Sequence, residues 1–186
     1  MHITTGKKLL TAAEYIQLFE QGVLTESDRI ELIEGEVVEK MTVGNRHVGR
    51  VSRLAHLFFR HLGDRVTVSA QSPVLLTDVS MPEPDLVVLH ARDDFYEGSY
   101  ATPQDILLLI EVADSSLSFD RLRKARVYAA AAVTEYWLVN LREDVLEVYR
   151  RPTPQGYAST TVLRRGDRVA LAAFPDLDFA VEDLVP

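Results

Sequence analysis

The chain has 186 residues, 47% of them apolar, no cysteine and a formal net charge of −8 at pH 7. That length suits one well-buried core, so a single domain spanning 1–186 is expected, and the missing cysteines exclude a disulfide framework or a thiolate metal site. The acidic balance argues against a protein that coats nucleic acid non-specifically, but leaves room for an enzyme that meets DNA through one local basic surface.

Met1–Lys8 lead into an amphipathic stretch rather than an apolar signal segment, so no signal peptide is expected. Glu111 and Glu135 interrupt the most apolar segments, and no run is long enough to cross a bilayer. With no cysteine to protect, a cytoplasmic protein with no membrane partner is the expectation.

Thr11-Ala12-Ala13-Glu14 is a capping box, and Ala12, Tyr15, Ile16 and Phe19 give the helix behind it an apolar side. The segment from Arg29 to Val38 reads as two short strands turned at Gly35. Asn45 is placed to cap a helix running to about Leu62, with Val48, Val51, Ala55, Phe58 and Leu62 facing the core. Strands follow near Val66–Ala70, Val74–Thr77 and Leu86–Leu89, and the polar stretch Ala91–Pro103 reads as a loop.

Ile106–Val112 is a buried strand, and a helix follows from Ser118 to about Ala132. Glu135–Asn140 is a further strand. Val145–Arg151 and Tyr157–Leu163 flank a turn at Pro152–Gly156 and form a hairpin. A last strand near Arg168–Ala172 precedes a Pro- and Asp-rich tail. Strands and helices mixed in this way predict an α/β (α+β) domain built on one sheet.

Two acids stand at the ends of apolar strands. If Leu86–Leu89 and Ile106–Ile110 are antiparallel neighbours, a simple register sets Asp85 opposite Glu111, and directly paired residues share a face with Cβ atoms ~4.5–5.5 Å apart. Carboxylates that close repel each other unless a cation lies between them, and hard oxygen ligands favour Mg²⁺ or Mn²⁺. Read singly, Asp85 is a strand-entry cap after Pro84 and Glu111 a solvated strand end; the pair points to a metal site.

Pro84-Asp85, followed at a distance by Glu111-Val112-Ala113, resembles the PD-(D/E)XK nuclease signature. That superfamily usually places a lysine two residues after the second acid, where this chain has Ala113. The stretches Asp120-Arg121-Leu122-Arg123-Lys124-Ala125-Arg126-Val127-Tyr128 and Val133–Val139 are similar to one bacterial branch, the Uma-two family of proposed restriction endonucleases. There the lysine has moved onto the following helix, which maps it to Lys124. Ala113-Asp114-Ser115-Ser116 departs from the Ser-Pro-Ser-type turn more usual in the family.

The resemblance implies a restriction-endonuclease-like mixed central sheet flanked by helices. It also implies a Mg²⁺-dependent endonuclease acting on DNA, and a homodimer, since many relatives cut two strands as pairs. The alternative, supported by Ala113, is an inactive nuclease-fold module that binds nucleic acid or regulates. Lys124 lies one turn after Asp120, at the border of a stripe formed by Leu122, Ala125, Ala129 and Ala132. Without the resemblance it reads as a surface partner of Asp120, worth a few tenths of a kcal/mol.

Glu31 sits where the family pattern puts an early acid, although strand alternation is equally consistent with Glu31 and Glu34 both being solvated. His47 matches a family position near a helix start, as a substrate contact or as an ordinary first-turn histidine. Arg46, Arg50, Arg53 and Arg60 recur at roughly helical spacing, as a phosphate-holding stripe or simply a solvated face. Tyr136 and Trp137 read as packing residues.

Overall fold

The computed structural model describes residues 9–42 and 44–185; the expectation for Met1–Lys8 lies outside them. Helix α1 (Ala12–Glu20) starts at the expected capping box. Strands β1 (Ile30–Ile33) and β2 (Glu36–Glu39) form the predicted hairpin. Its turn carries Glu34 and Gly35 at φ 53° and 78°. Glycine suits that turn twice over: it adopts positive φ without strain, and a Cβ on Gly35 would stand 2.7 Å from the Leu9 Cβ.

A six-stranded sheet in the order β3-β4-β5-β6-β7-β8 forms the centre. Its members are β3 (Val66–Ala70), β4 (Leu86–His90), β5 (Ile106–Ala113), β6 (Glu135–Asn140), β7 (Val145–Thr153) and β8 (Gly156–Leu163). Only β5 and β6 pair in parallel, and the other neighbours are antiparallel. The predicted mixed sheet is therefore present. A parallel pair needs a crossover, supplied by α3 (Leu117–Phe119), a π-helical turn (Asp120–Lys124) and α4 (Ala125–Ala130).

Alternation along the strands separates two cores. Leu86, Val88, Leu108, Ile110 and Val112 pack with Val51, Leu54, Phe58 and Leu62 of helix α2 (Asn45–Leu62). On the other face Val87, Leu89, Leu109 and Ala113 meet Leu117, Ala125, Val127 and Tyr128 of the crossover, with Ile33 from the hairpin. Trp137 and Tyr136 are both fully buried, one in each core.

Four expectations need correction. Gly44, with no side-chain bond, is the N-cap of α2, and Asn45 is its first helical residue. Within α2, His47 rather than Val48 faces inward, and Val48 is exposed. Val74–Thr77 is not a strand: it makes only isolated bridges to Ala101 and Ser80. The tail is ordered, since β9 (Arg168–Leu171) pairs with β10 (Phe174–Ala180) and α5 (Val181–Leu184) follows. Among the described residues, no helix is long and apolar enough to cross a membrane.

Candidate active site

Leu86 lies opposite Ile110 and Val87 opposite Leu109. Carried one step further, this register sets Asp85 opposite Glu111 where β4 begins. Pro82 and Pro84 hold the approach to Asp85 extended, because proline fixes its own φ and restricts the residue before it. Backbone bonds from Val74 N to Pro82 O (2.9 Å) and from Gln71 N to Asp85 O (3.2 Å) fasten the segment.

The Asp85 carboxylate is anchored through one oxygen. Oδ2 accepts the Val112 N–H at 2.8 Å and lies 2.9 Å from His47 Nε2. His47 is 7% exposed, and its Nδ1 is buried with no hydrogen-bond partner. Glu111 is likewise anchored through a single oxygen. Oε1 accepts Lys124 Nζ at 2.9 Å and the Tyr128 hydroxyl at 2.5 Å. Each acid therefore keeps a second oxygen outside these bonds.

Glu31 is used differently. Its Oε1 lies 3.1 Å from Lys124 Nζ, and its Oε2 accepts the Glu83 N–H at 3.1 Å. Both oxygens are thus committed within the protein, and Glu83 in turn pairs with Lys40 at 2.5 Å. Lys124, only 5% exposed, bridges Glu31 and Glu111. An ammonium at that depth is tolerable only when paired.

The crossover helix explains why Lys124 faces inward. Leu117, Asp120, Lys124 and Tyr128 follow one another at helical spacing and all are buried. The π turn, closed by the Ala125 N–H bonding Asp120 O, lies in the middle of this stripe; such turns occur often at functional sites. Leu122, which the sequence pattern places on the core side, is 71% exposed.

Charges in the cluster shift one another. Burial pushes the Glu111 carboxyl well above its usual range, Lys124 opposes this, and Asp85, Asp120 and Glu31 add to it. Burial likewise raises Asp120 to about 6, against the pull of Lys124 and a Ser116 hydrogen bond, with Asp85 and Glu31 adding. For Lys124, burial works against the charge, but Glu111, Glu31 and Asp120 outweigh it and the ammonium is held. Three carboxylates act on Lys124 and Asp85 adds a fourth beside Glu111 and Asp120, so the cluster carries surplus negative charge.

A cleft of about 390 Å³ opens onto this cluster, with Glu31, His47, Asp85, Glu111, Asp120 and Lys124 in its lining. Sequence reading named five of these six. Asp120 reads from sequence only as the partner of Lys124, and Tyr128 only as the end of the family-like stretch, with no role at the site. The inward spacing from Leu117 was the available signal for both. Arg46 and Arg50 are not in the lining. Arg46 bonds Leu141 O (2.6 Å) and Asp144 (2.8 Å); Arg50 lies 3.5 Å from Asp183 O. Among the described residues, no three His, Asp or Glu side chains are grouped to hold a metal ion by themselves.

Comparison with known proteins bears on the family and the fold. The sequence profile of the Uma2 family, described as "Putative restriction endonuclease", matches residues 12–182. An uncharacterized protein of Synechocystis, sll1609, is 28% identical over 145 residues, covering 75% of this chain and 80% of that one. A crystal structure from Anabaena variabilis, titled as a "putative nuclease belonging to DUF820", superposes with a TM-score of 0.72 at 18% identity. It covers 94% of this chain and 97% of its own. At that identity the match speaks for the fold.

Proposed function

The chain belongs to the Uma2 family, and from that premise we propose that it is a metal-dependent endonuclease hydrolysing phosphodiester bonds of DNA. The observation that carries the reading is the division of labour between the two acids. Asp85 uses Oδ2, and Glu111 uses Oε1, for bonds within the protein, so one oxygen of each is left for a cation between them.

The donor set fits Mg²⁺ or Mn²⁺. Magnesium keeps several waters and is commonly held by one or two carboxylates with substrate phosphate, rather than by an all-protein cage. Two hard carboxylates beside a cleft match that habit, and the surplus negative charge favours a divalent ion. When bound, such an ion supplies a water of lowered pKa and neutralises charge building on the phosphate.

The chain's own groups do the rest. His47 and the Val112 N–H fix the Asp85 carboxylate. Glu31 holds the Lys124 ammonium beside Glu111, where it is placed to orient the attacking water or to stabilise the crowded phosphate. Charge held in a dry, preset position acts more strongly than in water. In this reading Glu31 acts through the lysine, and Lys124 takes over the task vacated at Ala113. Arg46 and Arg50, both outside the cleft lining, are not given the role of gripping the scissile phosphate.

The test is incubation of purified protein with plasmid DNA and Mg²⁺ or Mn²⁺, beside the Asp85→Ala variant. Nicking or linearisation by the parent and not by the variant is expected. Cleavage that survives Asp85→Ala sinks the site. Failure to cleave any form of DNA with either metal favours the inactive nuclease-fold module, for which Ala113 is the specific observation.

A further inference from the structure

Tyr128 lies four residues beyond Lys124 and is fully buried. Its hydroxyl donates to Glu111 Oε1 at 2.5 Å, the oxygen that also accepts Lys124 Nζ at 2.9 Å. Two donors on one oxygen define how the carboxylate is turned. A charged lysine alone would attract either oxygen, since its three donors sit on a flexible stem. The phenol has a rigid ring and a single O–H, so it selects one.

That ring is itself braced. It packs edge-on against Tyr136, with centroids 5.1 Å apart at 71°. Tyr136 stacks on Tyr149 at 5.2 Å and 26°. The Tyr149 hydroxyl donates to Glu147 Oε2 at 2.6 Å, and Glu147 is fixed by Arg121 and Asn140. A column of tyrosines thus runs from β7 to the carboxylate.

We propose that Tyr128 is a positioning residue: it holds Glu111 Oε1 against the crossover helix so that Oε2 is presented to a divalent cation. This rests on the metal-site reading above. Partners of this kind, behind a metal ligand, commonly govern affinity when removed. A tyrosine serving only the core would give a different result, because phenylalanine keeps the ring and its packing.

The experiment is a calorimetric titration of the full chain with Mn²⁺, using the parent and the variants Tyr128→Phe, Tyr136→Phe and Glu111→Gln, with metal-free melting curves of each. Tyr136→Phe is the control for losing a buried hydroxyl, because Tyr136 donates only a long 3.4 Å bond to Asp120 O. Tyr128→Phe is expected to bind Mn²⁺ roughly tenfold or more weakly, while Tyr136→Phe binds like the parent. Unchanged affinity in Tyr128→Phe, or an equal loss in Tyr136→Phe, overturns the proposal. If parent binding is abolished by Glu111→Gln but survives Tyr128→Phe intact, only the role of Tyr128 falls. A parent that takes up no Mn²⁺ overturns this inference and the metal-site reading together.

Discussion

Asp85 Oδ2 accepts the backbone N–H of Val112 at 2.8 Å, so one strand-end acid is bonded to the residue that follows the other. The relationship ties the Asp85 carboxylate to the backbone of the strand that carries Glu111. It also gives Asp85 a structural duty that is separable from any chemistry.

Substituting Asp85 separates the two duties. Asp85→Ala strands the Val112 donor and removes the acceptor beside His47; an unsatisfied buried partner costs about 1–3 kcal/mol. For a chain of this size that lowers Tm by roughly 2–4 °C per kcal/mol. Asp85→Asn keeps a carbonyl oxygen for Val112 and costs less, yet it removes the anionic metal ligand. Both variants should fail to nick plasmid, with Asp85→Asn melting closer to the parent. An Asp85→Asn protein that still cleaves is incompatible with the proposed site.

Lys124 and Glu31 should behave as a coupled pair. Replacing the lysine by methionine leaves Glu31 and Glu111 buried without their shared ammonium, a loss of about 3–5 kcal/mol. Glu31→Gln removes one of the two stranded charges, so the double variant Glu31→Gln/Lys124→Met should lose less than the two single losses combined. Coupling of about 1 kcal/mol or more is expected in urea unfolding at constant m-value. Additivity within about 0.5 kcal/mol would mean that the 3.1 Å contact carries no energy.

Asp120 gives a pH dependence of definite sign. Its pKa rises from 3.8 to about 6, chiefly through burial. The folded chain therefore holds a proton that the unfolded chain has released between about pH 4 and about pH 6. That contribution is fully present below the unfolded pKa and is lost as pH rises through the folded one, which opposes the usual behaviour of paired carboxylates. Asparagine cannot titrate. In metal-free buffer, the stability of the parent relative to Asp120→Asn should fall from acid to neutral pH, by on the order of 3 kcal/mol at most. Urea midpoints for both proteins at matched pH measure it. A difference that stays flat, or grows with pH, refutes the assignment.

The strands were largely readable because burial on both faces leaves long apolar runs. The runs at Leu86–Leu89 and Ile106–Ile110 gave the antiparallel pairing and the register that brings Asp85 to Glu111. Reading failed where local chemistry and tertiary role diverge. Val74–Thr77 sets two leucines between the β-branched Val74 and Thr77, yet it lies between Pro73 and Pro82 and makes only isolated bridges. Phe174–Ala180 contains Pro175, Asp176 and Asp178 and so reads as a tail. It nonetheless pairs with β9 through an irregular register.

Two helix positions, Val48 and Leu122, were misread for a more instructive reason. An apolar stripe is the normal guide to a buried face, but here the inward positions near the site are His47, Asp120 and Lys124, all buried. Polar groups stand here where packing alone would place leucine or valine. The pattern therefore chose Val48 and Leu122, which are exposed. Local rules are expected to break where a site is built.

The face assignment of the crossover helix can be tested directly. Leu122 is 71% exposed while Ala125, three residues on, is 6% exposed and packed in the core with Leu117 and Tyr128. On the stripe read from sequence, glutamate at either position would be severely destabilising. On the observed geometry, Leu122→Glu should change stability by no more than about 0.5 kcal/mol, as surface substitutions usually do. Ala125→Glu forces an unpaired carboxylate and extra volume into a filled core, and should lose several kcal/mol or fail to fold. Equal melting losses for the two variants would show that the helix is rotated from the face described, and that Lys124 does not meet Glu111.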